Sequence, residues 1–556
     1  MIPKAQAAVV LAILSGALSF GTEPIPTAGR DWYVDCTDGH DGADGLSPGS
    51  AWRSAKAFSG HTFRPGDVIY FRRGSVCTGM LTPKGSGSAT APIRLDAYGT
   101  GPLPQIRAEP GEEAALKLFD QEYWTIEHLD FSGGQPHGIF VTGSRGVLHG
   151  IHIRDVVIHD VTGQPKNKET GLLVIAPGSE RQHFDDVLID GVTAFHTTQW
   201  AGIMVAGVPH GFPPESSRNT NVIIRNSIAY DVAGDGIVLF QVINGLIENS
   251  AAWLTGMQET ETIGTPNAIW TWMCRNCTVR HDEAFLTDSP GVDGGAFDID
   301  YGDDDNIVEG NYAHDTQGYC VAVFGAGWAT RNSIVRNNVC VANGLSPRLA
   351  RRQGAVFLDT WNNGTINGLE ISGNQIYWNP SIEAAALVNT AAFEGNGKFE
   401  NNTIHSCSPS IVRSNGALVF IGNSYLDCSP ESPHDEQSLC LEAFVSADER
   451  GSKSRGQVTL LESVHRQFPQ LQIEIFVRGR LSARSNLRYD WNTGDLSLVL
   501  DDAEIPASPT YPALALKTAS GKLLWHHDGF TSPAELGLML RSFLGHPQFA
   551  KLSSDQ

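Results

Sequence analysis

Between about residues 120 and 430 the chain alternates short β-branched runs with polar, Asn- and Gly-rich turns. The middle phrases are NVIIRNSIAYDV, GLIENSAAWLTG, NCTVRHDEAFLTD, NIVEGNYAHDTQG, SIVRNNVCVANG, LEISGNQIYWNP, KFENNTIHSCS and FIGNSYLDCS. A second strand series falls between them: GIVLF, AIWTW, GAFDID, CVAVF, GAVFLD and AALVN. The phrases recur every 21 to 36 residues or so, the range of solenoid repeats with variable loops on one face. Strands this short cannot bury a face alone. Stacked coil on coil about 4.8 Å apart, they enclose a continuous apolar column. Asn226, Asn249, Asn337 and Asn401 recur at one point of the phrase. Asn tolerates left-handed backbone and can bond its equivalent in the next coil, so an internal Asn ladder is expected. Neither a Leu-rich consensus nor Trp-Asp signatures accompany the repeats, which excludes leucine-rich repeats and propellers.

The chain opens with Asp31-Trp-Tyr-Val-Asp35, Asp44-Gly-Leu-Ser-Pro48, Ala51-Trp-Arg-Ser54, Arg64-Pro-Gly-Asp-Val-Ile69 and Ala91-Pro-Ile93. With these phrases, residues 30–430 resemble the pectate-lyase-like superfamily of right-handed parallel β-helices, and the opening module resembles the N-terminal cap of bacterial secreted members. The resemblance implies an all-β solenoid. It leaves the reaction open, because the superfamily holds lyases, hydrolases, epimerases and binding proteins.

After Cys428 the repeats stop, and a polar linker spans 431–437. Residues 438–550 then read as strand (Leu439 to Val445), helix (Gly456 to Phe468), strand (Leu471 to Val477), loop, strand (Ala513 to Leu516), turn, strand (Leu523 to His526) and helix. Ser532-Pro-Ala-Glu535 is a capping box with Pro at the first helical position. This order resembles a thioredoxin fold, a smaller C-terminal α/β domain, with Tyr511-Pro-Ala-Leu514 where that family carries its cis-proline. The family's paired thiols should follow Phe444-Val-Ser-Ala447, but the chain there is Asp448-Glu-Arg-Gly-Ser452. Disulfide exchange needs an attacking and a resolving cysteine, so the domain is expected to be redox-inactive.

Composition narrows the classes of partner. The net charge of −22 disfavours nucleic acid and anionic membranes, whose binding requires clustered cations. Lys4 followed by the uncharged run Ala7 to Phe20 predicts a signal peptide over 1–20, too short for a comfortable membrane span, and hence a secreted or periplasmic protein. The cysteines agree with export: Cys36 with Cys77, Cys320 with Cys340 and Cys407 with Cys428 can be disulfides or stacked thiols. Cys274 and Cys277 form a lone CxxC, a weak zinc signal, and the odd count of nine leaves Cys440 over.

The candidate chemistry lies in Gly294-Gly-Ala-Phe-Asp-Ile-Asp-Tyr-Gly-Asp-Asp-Asp305. Side chains alternate along a strand, so if Phe297 and Ile299 face the column, Asp298 and Asp300 face out. Carboxylates two residues apart lie about 6–7 Å from one another. That separation falls between the values for retaining and inverting glycosidases, roughly 5–5.5 Å and 6.5–9.5 Å. The preceding coil aligns Trp270 with Asp298 and Trp272 with Asp300, offering rings on which a sugar can stack. Asp359 falls two coils on in the Asp300 column, and Tyr301 follows the acidic strand directly. His314-Asp315 is a further site candidate, although His159-Asp160 and Tyr230-Asp231 occupy the same place in their coils and suggest a repeated turn. No phosphate loop and no G-x-S-x-G nucleophile elbow is present.

The expected function is a secreted carbohydrate-active enzyme, foremost a glycoside hydrolase with Asp298 and Asp300 as acid and base or nucleophile, acting on a polysaccharide or oligosaccharide. A second reading places Ca2+ on Asp303, Asp304 and Asp305, with β-elimination on a uronate and Arg275, Arg280 or His281 as base. The third is a non-catalytic glycan-binding or surface protein.

Overall fold

In the computed structural model the described residues run from 29 to 426, apart from 165–166, 209–214, 257–263, 379–383 and 406–410. Beyond 426 they comprise six strands between Leu439 and Asp528 and scattered positions beside them. The leader over 1–20, the linker over 431–437, the Cys407–Cys428 pair and most of both C-terminal helices lie outside the described residues.

The repeats build three parallel sheets of 14, 13 and 11 strands, each coil giving one strand to each sheet. The first runs from Asp31–Val34 to Leu418–Ile421, the second from Val76–Thr78 to Ser424–Leu426, and the third from Leu116–Phe119 to Val412–Ser414. Alternation sets the faces. In Asn219–Arg225, Val222 and Ile224 enter the core, while Arg225 points out and ion-pairs with Asp190 of the previous coil at 2.9 Å. The N-terminal cap holds the short helix Ala55–Gly60, whose first turn is capped by Ser54, its hydroxyl accepting the Ala57 N–H at 3.1 Å. Cys36–Cys77 and Cys320–Cys340 are disulfides, each spanning adjacent parts of the coil stack.

The expected ladder exists, displaced by one residue. Asn226, Asn249, Asn337 and Asn401 adopt positive φ of 50–56° and shape the turn. The residue after each enters the interior and accepts the backbone N–H of its equivalent in the previous coil. The chain of rungs is Ser227 to Ser250 (3.1 Å), Ser250 to Asp282 (2.7 Å), Asp282 to Asn311 (2.9 Å), Asn311 to Asn338 (3.0 Å), Asn338 to Asn374 (2.9 Å), Asn374 to Asn402 (2.9 Å) and Asn402 to Asn423 (2.9 Å). Cys274 and Cys277 play the same part at neighbouring corners, their sulfurs accepting the N–H groups of Val242 (3.4 Å) and Gly245 (3.2 Å). Both thiols are buried and turned into the coil, so this CxxC is a structural element and not a zinc knuckle.

The outer face of the second sheet carries a stack of rings in register. His159, Phe195, Tyr230, Trp253, Phe285 and His314 lie nearly parallel, with successive centroids 5.1, 5.0, 4.9, 5.2 and 4.6 Å apart. Part of it is covered. Trp253 and Phe285, with Ile228 and Ala251, share one apolar cluster with Leu439, Leu441, Ala443, Leu514, Leu516 and Leu540 of the C-terminal sheet. In that sheet Leu439–Ser446 pairs in parallel with Gln472–Arg478 and antiparallel with Ala513–Thr518, which continues into Leu523–Asp528. The expected loop after 477 contains two further strands, Asn486–Asp490 and Leu496–Val499, which form an antiparallel hairpin on the free edge of Gln472–Arg478.

Candidate functional site

The third sheet carries the acidic strand. Register places Trp270 beside Asp298 and then Asp298 beside Ala322; two residues on from Trp270, Trp272 lies beside Phe240. In the neighbouring column Phe324 pairs with Asp359. Asp298 is 2% exposed, and its Oδ2 accepts from the Asn267 side chain at 3.2 Å while Oδ1 has no partner. Asp300 is half-buried, its carboxylate accepting the Tyr301 N–H at 2.8 Å.

Other coils supply groups that the strand pattern did not reveal. Asp235 is fully buried, accepting the Trp200 indole N–H at 2.5 Å and the Asn267 N–H at 3.0 Å. Asp293 accepts from the Thr265 hydroxyl. Tyr319 is fully buried and donates to Asn267 Oδ1 at 2.9 Å; it fits only because residue 295 is glycine, where a Cβ would stand 2.0 Å from its ring. Lys168 reaches in from a loop, its ammonium 5.1 Å over the Trp200 ring and 5.2 Å over that of Trp270. Asp235 and Asn267 each directly precede a turn into a third-sheet strand. Their N–H-accepting role is the sequence signal that was available; Lys168 leaves none.

The electrostatics follow from this crowding. Burial pushes both Asp298 and Asp300 well above the ordinary carboxylate range, with Asp293 and Asp303 adding repulsion and Lys168 opposing it. Burial likewise raises Asp293 to about 6 and Asp235 upward. Crowding these buried acids beside the Lys168 ammonium favours the protonated form of Asp298 and Asp300 beyond the ordinary carboxylate range. The cluster can therefore present a proton donor and an ionised carboxylate together.

Several expected site residues lie elsewhere or differ in role. Trp270 is 4% exposed, packed against Phe240 and beneath Lys168, so it offers no open stacking face. Trp272 is half-buried and meets the edge of Tyr301 at 5.7 Å. The open aromatic surface is Trp328 and Trp361, 41% and 42% exposed, which flank Tyr301 at 5.9 and 5.8 Å. Asp359 is half-buried and accepts from the Thr390 hydroxyl at 2.8 Å. His314 belongs to the ring stack on the second sheet, held between Glu283 (2.6 Å) and Asp315 (2.9 Å), because its coil position puts it on another face from Asp298.

The three successive aspartates do not converge on a cation. Asp303 turns inward to accept from the Thr271 hydroxyl and the Cys274 N–H, each at 2.6 Å, and burial raises it to about 7. Asp305 is exposed at a positive-φ turn and accepts from Asn332 at 3.1 Å, while Asp304 bridges neighbouring coils through its backbone. Among the described residues only Asp96, Glu127 and His128 bring ligand atoms within range of one another, and Arg94 already ion-pairs with Asp96 and Glu127. The expected elimination bases are engaged or on another face: Arg280 pairs with Glu248 on the first sheet, Arg275 stands beside Asp304 but is paired with Glu215, and His281 sits on an exposed turn.

No protein-family model and no curated protein matches the chain. Among solved structures, it is similar to the GH136 lacto-N-biosidase from Eubacterium ramulus, with 20% sequence identity, 72% of this chain and 68% of that one covered, and a TM-score of 0.52. More distant are a mannuronic acid specific polysaccharide family 6 lyase from human gut microbiota (11% identity, 72% and 91% covered, TM-score 0.43) and the pectate lyase Pel9A (14% identity, 71% and 79% covered, TM-score 0.33). The chain has a parallel β-helix fold. On that β-helix the acidic cluster occupies the outer face of the third sheet, some way from a cavity of about 580 Å3 on the same face.

Proposed function

We propose that the protein is a glycoside hydrolase acting on a neutral polysaccharide or oligosaccharide, with Asp298 and Asp300 as the acid and the base or nucleophile. The carrying observation is the buried carboxyl cluster in which these two sit beside the Lys168 ammonium. Such a cluster holds the proton an acid must deliver, and it repels a substrate bearing its own carboxylate. The repulsion, together with the engagement of Arg275 by Glu215 and of Arg280 by Glu248, weighs against the uronate lyase. Trp328, Trp361 and Tyr301 are the platform on which a sugar face stacks at the open side of the pair. The solved carbohydrate-active neighbours with the same fold are in keeping with this reading.

The test is a reducing-end assay on a panel of plant and bacterial polysaccharides, run with and without chelator. Asp298→Asn and Asp300→Asn are each expected to lower kcat by about 10²–10⁴-fold, the usual worth of a positioned acid or base. Wild-type turnover in both variants, or an unsaturated product absorbing in the near ultraviolet, would refute the assignment.

We further propose that the protein is exported, on the strength of the leader pattern, and that the C-terminal domain is a redox-inactive thioredoxin-like module. The order of its four principal strands, with one parallel and two antiparallel pairings, supports the second reading, and the hairpin Asn486–Val499 is then an addition to the fold's edge.

A further inference from the structure

A cavity of about 580 Å3 opens on the third sheet, away from the aspartates. Its size falls in the range of roughly 300–1,000 Å3 typical of ligand pockets. Its floor is formed by His137 and Phe140, whose rings lie parallel 4.1 Å apart. Thr142, Thr170, Glu169 and Glu113 stand around them. Along the outward column the strand register runs Phe140, Val174, Met204, Val238, Trp270, Asp298. Five strand spacings put the cavity about 24 Å from Asp298. Val174, Met204 and Val238 are fully buried in one apolar cluster with Trp200, so a ridge divides the two places. One loop borders both: Lys168 overhangs the Trp270 side, and its neighbour Glu169 lines the cavity.

The lining is suited to a particular chemistry. His137 is 5% exposed and its Nδ1 has no hydrogen-bond partner, an unmet polar atom of the sort a ligand or water completes. Burial pushes the His137 imidazolium down to about 3, so the ring is neutral. None of the described lining residues is Lys or Arg, and Lys117, beside the floor, is paired with Glu113 at 2.6 Å and lies 5.5 Å over the Phe140 ring. Burial raises Glu169 to about 7, so this carboxyl donates as well as accepts near neutrality. Flat rings, hydroxyls, an amide-like acid and no cation among the described lining residues describe a site for an uncharged polyol, and Glu180 on the rim adds to the exclusion of anions.

We propose that this cavity is a second glycan-binding site, separate from the aspartate cluster, which holds a neutral oligosaccharide by stacking on Phe140 and hydrogen bonding to His137, Glu169 and Thr142. It shares the substrate class assigned above but binds independently of the cutting site, anchoring the polymer to the enzyme surface.

The experiment is calorimetric titration of the full-length protein with cellotriose, maltotriose, triacetylchitotriose and trigalacturonate. Phe140→Ala and His137→Phe are compared with wild type after circular dichroism confirms folding; the second keeps the ring and removes Nδ1. At least one neutral trisaccharide should bind wild type, weaken at least about tenfold in both variants, a loss equivalent to one well-made contact, and be unaffected by Tyr425→Ala, an exposed ring on the second sheet. Trigalacturonate should give no heat. Unchanged affinity in His137→Phe, dependence on Tyr425 alone, binding of trigalacturonate in preference, or no binding by any neutral sugar overturns the proposal. The reducing-end assay keeps its failure apart from that of the hydrolase reading. Binding that depends on His137 without turnover removes the hydrolase and leaves this site; turnover that depends on Asp298 without such binding does the reverse.

Discussion

Asp293 is the residue through which the candidate acid and base can be interrogated without touching either. Its charge raises both Asp298 and Asp300, whereas Lys168 lowers both. If one member of the pair delivers a proton, the alkaline limb of the kcat/KM profile reports the loss of that proton. Asp293→Asn removes repulsion, lowers the donor's pKa and should move the limb to lower pH. Lys168→Met removes the opposing charge and should move it to higher pH. A limb that stays in place in both variants would show that neither aspartate is the donor. At this scale, the sequence disclosed what strand alternation controls. Asp298 and Trp270 stand side by side, where two-residue periodicity and coil spacing place them. It did not disclose that Trp270 is roofed by Lys168, because the roof comes from a loop whose path no periodicity dictates. The one-residue error in the ladder has a simpler origin: Asn226-Ser227, Asn249-Ser250 and Asn401-Asn402 each present two polar residues, and only the backbone conformation tells which turns and which points in.

Among the elements, the interior ladder contains a rung that differs from its neighbours. Asp282 accepts the Ser250 N–H through Oδ1, but Oδ2 has no partner, and burial holds the carboxyl well above its ordinary range. In the following coils Asn311 and Asn338 use their amide to donate to the carbonyls of Val279 (2.9 Å) and Val308 (3.0 Å). Asp282→Asn should therefore stabilise the protein by about 1–3 kcal/mol, the cost of an unsatisfied buried group. The sign with pH is fixed by linkage. The folded group keeps its proton to higher pH than the unfolded one, so the wild type loses stability as pH rises above about 4, the unfolded value. The gain from the variant should grow over the same interval, and melting curves at pH 4 and pH 8 test this; an equal or smaller gain at pH 8 would contradict it. The C-terminal hairpin belongs to this scale too. Leu487 and Tyr489 alternate towards a turn at Asn492-Thr-Gly-Asp495, and Leu496 and Leu498 alternate away from it, a signal present in the sequence but diluted by charge.

Considered whole, the molecule hides part of its aromatic column under a second sheet. Trp253 is 1% exposed, stacked between Tyr230 and Phe285 and covered by leucines of the C-terminal sheet. Nothing in the repeats of 30–430 signals that partner, since an outward ring looks the same in sequence whether water or a neighbouring domain meets it. A protein ending near residue 430 should keep the β-helix, because the interior core is made by the coils alone and the C-terminal sheet meets only their outer face. It should also expose apolar rings, shift tryptophan emission to longer wavelength and bind a hydrophobic dye. Unchanged emission would mean that the two parts do not meet as described.

The interior ladder has a further consequence. Each rung takes its hydrogen from the coil before and offers its own to the coil after, so the bonds all point one way along the axis, like the teeth of a ratchet. A lost or gained residue inside a coil throws every later tooth out of mesh, whereas a whole coil removed or added leaves the remaining teeth engaged. Length in this protein is thus quantised: the stack can grow or shrink by complete turns, and variation within a turn is confined to the loops, where Lys168 and Glu169 stand.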